Sequence, residues 1–182
     1  MAIYPKEYLD STSGDTARSN CFVLMPFARQ FDEVYFAIRT ACEVPDLLLS
    51  CSRADDFYGA GHIMEDILEG IVHSEYIVAD VTGKNPNVFY ELGLAHAARK
   101  PVVFVAGDIE DVPFDVRHLR VVVFDVREPG WSDKLRRDIT TYLKNTRSEP
   151  EKSIPQPYRE FPLDDQEGQP TEQTGPTKKA RK

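Results

Sequence analysis

Short segments that are apolar throughout alternate along this chain with segments in which apolar residues recur every three or four positions. The apolar segments have the length of buried strands and cover residues 21–25, 47–51, 76–79, 101–106 and 121–124. The helical periodicity falls between them, at residues 31–42, 63–71, 88–95 and 135–143. Wholly apolar strands that alternate with helices indicate a parallel sheet covered on both faces.

The connections between such strands are right-handed, which reduces the choice of topology. The pattern therefore predicts a single α/β domain: an open, doubly wound, mainly parallel five-stranded sheet with helices on both faces, Rossmann- or flavodoxin-like. In these folds ligands bind outside the carboxyl ends of the strands. The residues that follow the strands are thus the candidates for a site, namely 25–27, 53–55, 80–87 and 107–120.

The two ends of the chain differ in composition from its centre. Residues 1–19 are polar and patternless, which predicts a flexible lead-in to a domain at residues 20–147. Residues 148–182 are rich in Pro, Glu, Gln and Lys and have too few apolar side chains to offset the entropy of ordering, so we expect a disordered tail. The basic end at 178–182 is expected to be solvated, with contact to an acidic partner as the alternative.

Charge and hydropathy exclude some classes of function. The net charge of -8 argues against direct nucleic-acid binding, although it allows a ligand the size of a nucleotide. No apolar run approaches the ~20 residues that a membrane-spanning helix needs. Residues 1–15 lack the pattern of a signal peptide. We therefore expect a cytoplasmic protein without a membrane partner.

Cysteine and histidine spacing indicates no metal centre. Cys21, Cys42 and Cys51 form no close-spaced pair, and each lies in or beside an apolar run. They are interpreted as reduced structural thiols, since free cysteine commonly behaves as a small core residue. The histidines lack metal-ligand spacing as well, and we expect no bound metal.

The segment 77–98, which reads IVADVTGKNPNVFYELGLAHAA, carries the strongest functional signal. Asp80 directly follows an apolar strand, so its side chain is expected near the carboxyl edge of the sheet. Asn85 suits the N-cap of the next helix, and Pro86 suits the first helical position, where no N–H is needed. The free amides and positive dipole end of this helix make its start a candidate phosphate or anion site.

Glu91 lies on that helix, close to the apolar face. Helical geometry places it about 60° from the centre of the arc that contains Val88 and Leu92 and must face the sheet. Its neighbours one turn away are Asn87 and Ala95, so no cation pairs with it inside the helix. A partly buried carboxylate without a local cation is costly and commonly marks a site. The alternative is a glutamate at the edge of the helix that pairs with an arginine from another segment, either Arg53 or Arg117.

Two carboxylates at one strand-end cleft, Asp80 and Glu91, suit glycosidic-bond chemistry. One carboxylate can attack or stabilise an oxocarbenium-like sugar carbon while a second acid handles the proton at the leaving group. At an N-glycosidic bond the leaving group is a base such as a purine, a pyrimidine or nicotinamide.

Other signals are weaker. Arg53 and Asp55 follow the second strand, where the arginine suits a phosphate or carboxylate, but ordinary pairing within the loop explains them equally well. Gly59 and Gly61 resemble a phosphate loop only superficially, because no complete glycine motif follows a strand. Residues 113–117 are a candidate lid or specificity loop.

Four blocks of the chain, at residues 24–27, 53–55, 79–83 and 85–93, resemble the nucleoside 2-deoxyribosyltransferase-like superfamily. The similarity covers roughly residues 21–124 and is closest to a bacterial branch related in fold to TIR domains. The last block is the most specific of the four. The resemblance implies that Glu91 is the nucleophile toward the anomeric carbon of the sugar, and that Asp80 holds the substrate and handles protons.

The resemblance leaves the substrate open. Deoxyribosyltransferases usually carry an aspartate where this chain has Asn85, which weakens the case for base transfer between deoxynucleosides. The TIR-like relatives use a helix glutamate to cleave the nicotinamide–ribose bond of NAD. Both groups often complete their sites only in oligomers, so a homo-oligomer is expected.

The resulting hypothesis is an N-glycosidase or N-glycosyltransferase of nucleosides, nucleotides or NAD, in which NAD would be a substrate and no cofactor is needed. Glu91 and Asp80 would be catalytic. The expected substrate contacts are Met25, Pro26, Phe27, Arg53, Asp55, Asn85 and Asn87. The alternative is a non-catalytic nucleotide-binding sensor or interaction module of the same fold.

Overall fold

The computed structural model of the chain describes residues 19–56 and 63–159. The strands are β1 (Asn20–Leu24), β2 (Ser50–Arg53), β3 (Tyr76–Asp80), β4 (Val102–Ala106) and β5 (Val121–Val123). The α-helices are α1 (Asp32–Cys42), α2 (Ile63–His73), α3 (Pro86–Ala97), α4 (Trp131–Ser148) and the short α5 (Gln156–Arg159). The predicted lead-in up to residue 18, both loop glycines, Gly59 and Gly61, and the tail after residue 159 lie outside the described residues.

The five strands form one sheet in the order β2-β1-β3-β4-β5, and every neighbouring pair is parallel. β1 lies between β2 and β3, with Cys21 opposite Cys51 on one side and Tyr76 on the other. This is the flavodoxin-like strand order, which reverses direction between β1 and β3 and opens a crevice at that point. The predicted fold class, a doubly wound parallel α/β domain, is confirmed.

The core consists of two apolar layers, one on each face of the sheet, because successive strand residues point to opposite faces. Val23 and Val78 lie in the layer covered by α1 and α4. Phe22 and Ile77 lie in the layer covered by α2 and α3. Both faces of the three central strands, β1, β3 and β4, are therefore buried, which explains why these strands are almost entirely apolar. The edge strand β2 is mostly polar and only partly buried.

The longest helix of the described residues, α4, is amphipathic. α4, at 18 residues, buries Leu135, Ile139 and Leu143 on one side and turns polar residues to the other. Within residues 19–56 and 63–159, no helix combines the length and the apolar composition needed to cross a membrane.

The second strand begins later than its apolar run predicts. Leu47 and Leu49 are buried in the core, but they precede β2, and Leu48 between them has a left-handed backbone with φ 53°. These leucines belong to the turn that follows α1. Leu47 and Leu49 are buried, and buried residues of a turn give the same hydrophobic pattern as a buried strand.

The structure also differs from the predicted disorder of residues 148–182, since 148–159 are folded. A 3-10 helix, Pro150–Ser153, follows α4 and leads to α5. Ile154 is buried, and the ring of Tyr158 lies 5.5 Å from that of His96, centroid to centroid. The composition of this segment did not predict that it is folded. Two apolar side chains are enough to hold it, because they pack on a surface that the rest of the domain provides.

Candidate functional site

A cleft of about 320 Å³ lies at the carboxyl ends of β1 and β3, where the strand order reverses. Its described lining residues are Met25, Pro26, Phe27, Ile63, Met64, Ile67, Asn85, Asn87, Val88, Tyr90 and Glu91. This is the position at which open α/β sheets bind ligands. By contrast, a cavity of about 30 Å³ between α4 and the start of β4 has room for only about one or two waters.

The start of α3 forms one wall of the cleft and is built as its sequence predicts. Asn85 has an extended backbone, and its side-chain oxygen accepts a 2.9 Å hydrogen bond from the N–H of Asn87. Pro86 occupies the first helical turn. Both predictions for this helix start, the N-cap and the proline position, are confirmed. Pro86 has no N–H and that of Asn87 is already used, which leaves the helix start with reduced capacity for an anion.

Glu91 projects from α3 into the cleft while remaining 7% exposed. Among the described residues, its carboxylate has no hydrogen-bond or ion-pair partner. The two arginines proposed as alternative partners are engaged elsewhere: Arg117 with Glu110 at 2.9 Å, and Arg53 with Asp32 at 3.2 Å. The structure therefore does not contain the edge ion pair that was the alternative explanation for this glutamate.

Burial raises the pKa of Glu91 to about 7 from its ordinary value of 4.5, since a carboxylate loses hydration in the cleft wall. A group with this pKa is present in both protonation states near neutral pH. When ionised it can act as nucleophile or base, and when protonated it can donate a proton.

Asp80 occupies a different environment. It is 0% exposed and is not among the residues that line the cleft. Its Oδ1 accepts hydrogen bonds from the N–H of Thr82, at 3.0 Å, and from the Thr82 hydroxyl. Its Oδ2 has no hydrogen-bond partner in the described part of the chain. Burial raises the pKa of Asp80 to about 6, and the negative charge of Asp111 adds to this effect. The two predicted catalytic carboxylates therefore do not line one cavity.

Five of the predicted substrate contacts do line the cleft, namely Met25, Pro26, Phe27, Asn85 and Asn87. Arg53 does not. Its guanidinium lies 4.3 Å from the ring centre of Tyr35 and bonds Asp32, so it ties the end of β2 to the start of α1. Asp55 belongs to the 3-10 helix Ala54–Asp56, and its side chain lies outside the described residues.

Sequence reasoning missed five lining residues, Ile63, Met64, Ile67, Val88 and Tyr90, and it assigned Val88 only to the sheet-facing arc of α3. The first three were interpreted only as the apolar face of α2, whose first turn extends beyond the core. Tyr90 gave a usable signal, because an aromatic residue outside the sheet-facing arc of α3 would be unexplained by packing. It is 61% exposed.

No group of three or more His, Cys, Asp or Glu side chains in ranges 19–56 and 63–159 is arranged to hold a metal ion. Cys21, Cys42 and Cys51 are buried and free.

Comparison of the chain with models of known protein families found no match, and a comparison with curated proteins found none either. The resemblance to a family therefore rests on the sequence motifs alone.

Proposed function

We propose that the protein cleaves or transfers an N-glycosidic bond, with Glu91 as the nucleophile. One observation supports this above the others: an unpartnered carboxylate with a pKa of about 7 lies in the wall of the switch-point cleft. The resemblance of residues 85–93 to the nucleoside 2-deoxyribosyltransferase-like superfamily assigns the same role to the same residue.

The walls of the cleft suit the two halves of such a substrate. Met25, Phe27 and Tyr90 offer apolar and aromatic surface against which a planar base can pack. Asn85 and Asn87 offer amide groups that can bond sugar hydroxyls. A base and a sugar joined by one bond would then span the cleft with the anomeric carbon beside Glu91.

In the reaction, ionised Glu91 forms a bond to the anomeric carbon while the bond from that carbon to the base nitrogen breaks. The base leaves with the electron pair and takes up a proton from the solvent, which is returned when the attacking water or second base loses its own proton. Water then attacks the glycosyl ester to give the free sugar, or the nitrogen of a second base attacks it to give a new nucleoside. Either attack returns Glu91 to its carboxylate form.

The charges around the cleft favour a substrate without phosphate. Glu91 is the only ionisable acid or base among the described lining residues apart from the Tyr90 phenol. A phosphate beside the ionised glutamate would be repelled and would meet no described cation. We therefore rank nucleosides ahead of nucleotides and NAD.

The test is release of free base from a panel of nucleosides, nucleotides and NAD, followed by chromatography. Glu91→Gln keeps the size of the side chain but removes the nucleophile, so we expect base release to fall at least about 100-fold. Glu110→Gln is the matched control, because Glu110 is exposed and pairs with Arg117. Equally slow release by wild type and Glu91→Gln would contradict the proposal.

A nucleotide-binding sensor of the same fold is the second candidate. The burial of Asp80 favours it, because only one of the two predicted carboxylates reaches the cleft. Such a protein would be stabilised against heat by a panel ligand without releasing base, since a ligand that binds only the native state raises its stability.

A further inference from the structure

The connection from β3 to α3 places Glu91, because α3 begins only six residues after Asp80 ends its strand. This connection contains a 3-10 helix, Thr82–Lys84. Gly83 and Lys84 have positive φ values of 73° and 55°. A non-glycine residue such as Lys84 adopts that conformation at some cost, so surrounding contacts must hold it.

The Thr82 hydroxyl joins this connection to two strands. Its single proton is donated to Oδ1 of Asp80, at the end of β3. Its oxygen accepts a 2.9 Å hydrogen bond from the N–H of Gly107, the first residue after β4. The hydroxyl is thus oriented by one partner while it holds the other.

A second bond fastens the same connection to the same loop. The N–H of Gly83 donates a 2.8 Å hydrogen bond to Oδ2 of Asp111, which lies in the 3-10 helix Ile109–Asp111. The segment that leads into α3 is therefore held against the loop after β4 at two points, one of which depends on Asp80.

We propose that Asp80 is a positioning residue: through the Thr82 hydroxyl it holds the β3–α3 connection, and with it the start of α3 and Glu91, in place beside the cleft. This inference rests on the proposed role of Glu91. It assigns Asp80 a function without contact to the substrate.

The burial of Asp80 supports an indirect role. A carboxylate that is 0% exposed and bonded to Thr82 has no described route to a substrate in the cleft. Burial and the charge of Asp111 disfavour the ionised form of this acid, and the two hydrogen bonds from Thr82 offset part of that cost. The hydrogen bonds that it accepts are charge-assisted and strong, which suits an anchor for a strained connection.

Kinetics of base release separate the indirect role from a direct one. Thr82→Val removes the hydroxyl but leaves Asp80 in place, and Asp80→Asn weakens the same bond from the other side. We expect each to lower kcat roughly 10- to 100-fold with little change in KM, since a misplacement of ~1 Å can cost about that much. The double variant should be no worse than either single variant, because both break one connection. Thr82→Ser keeps the hydroxyl and should restore kcat.

A second readout does not depend on activity. The titration of the Glu91 carboxyl can be followed by carbon-13 NMR, together with amide hydrogen exchange in the first turn of α3. In Thr82→Val we expect the pKa of Glu91 to fall from about 7 toward its ordinary 4.5 as water enters, and exchange to become faster. Thr140→Val is the matched control, because its hydroxyl bonds Ala41 on the other face of the sheet.

The outcomes distinguish the positioning role of Asp80 from the proposed function of the protein. Loss of base release in Asp80→Asn with none in Thr82→Val would overturn the positioning role and favour direct proton transfer. An unchanged Glu91 titration in Thr82→Val would overturn it as well. If wild type releases no base from any substrate, the proposed function fails, while the titration still decides whether Asp80 positions Glu91. Should Thr82→Val not fold, Asp80→Asn tests the same bond from the other side by the same titration. We expect the pKa of Glu91 to fall there too, and no change would contradict the proposal.

Discussion

Glu91 and Asp80 are both acids that the fold buries, but they are buried in different ways. Asp80 is compensated by two hydrogen bonds from Thr82, whereas Glu91 has no partner among the described residues and meets only the cleft. An uncompensated buried carboxylate is unfavourable when charged. The burial of Glu91 is therefore not explained by stability of the fold, which supports the role proposed for it at the cleft.

This difference predicts that Glu91→Gln stabilises the protein at alkaline pH. The pKa of Glu91 is about 7 in the folded state against 4.5 ordinarily, so folding favours the protonated form. The stability that depends on this proton is present below pH 4.5 and is lost as the pH rises through 7. By this linkage the glutamine variant should exceed wild type by up to about 3 kcal/mol at pH 8.5 and by little at pH 5. Urea unfolding at the two pH values measures the difference.

Asp80 is present in both wild type and Glu91→Gln, so its titration does not contribute to the difference in their free energies of unfolding. Glu110→Gln serves as control, because it makes the same chemical change at an exposed position outside the cleft. An equal gain for Glu91→Gln at pH 5 and pH 8.5 would show that ionisation of Glu91 does not disturb the folded state.

At the scale of the element, α2 and α3 pack on the same face of the sheet, and each contains one glycine in a different environment. Gly70 of α2 lies directly over Phe22 of β1, and a Cβ built on it would approach ring atoms to 2.5 Å. A Cβ on Gly93 of α3 would meet nothing within 4 Å. The glycine in α2 is therefore required by close packing, whereas the one in α3 is not.

Alanine at Gly70 and at Gly93 should have opposite effects on the free energy of unfolding. Each substitution gains about 1 kcal/mol of helix propensity. At Gly70 the buried Phe22 ring must move, and overpacking typically costs about 1–3 kcal/mol, so a net destabilisation of about 1 kcal/mol is expected. Gly93→Ala should stabilise by up to about 1 kcal/mol. Urea denaturation of both variants tests this, and a stabilised Gly70→Ala would mean that α2 moves freely away from the sheet.

At the scale of the whole molecule, the chain after α4 returns to close the domain. Ile154 is 9% exposed, and Tyr158 contacts His96 on α3. The Ser153 hydroxyl lies 3.0 Å from that of Thr146 on α4. These contacts join the helices of opposite sheet faces through a segment that composition alone assigned to disorder.

Ending the chain at Glu149 should therefore lower the free energy of unfolding by about 2–3 kcal/mol, chiefly through the lost burial of Ile154. A chain ended at Arg159 is the matched control, because it keeps every contact described for this segment. Thermal unfolding of the two truncated chains gives the comparison. Equal stability would show that residues 150–159 contribute nothing to the domain.

The sequence alone determined the features that depend on local physics. The alternation of apolar strands and amphipathic helices specified a doubly wound parallel sheet, because both faces of such a sheet are buried. The Asn85 cap and Pro86 followed from the hydrogen-bonding needs of a helix start. The prediction that Glu91 is a partly buried carboxylate at a site followed from helical geometry and from the absence of a cation one turn away.

Only the tertiary structure determined which neighbours each buried group meets. A hydrophobic pattern shows that Leu47 and Leu49 are buried, but not whether they lie in a strand or a turn, and it did not predict the burial of Ile154. Position at the end of a strand shows that Asp80 is near the sheet edge, but not that it is fully buried and bonded by Thr82. Segment 77–98 remains the proposed functional centre of the protein. Within it, packing directs Glu91 into the cleft and Asp80 into the connection that holds Glu91, because chain direction alone does not determine which surface a side chain meets.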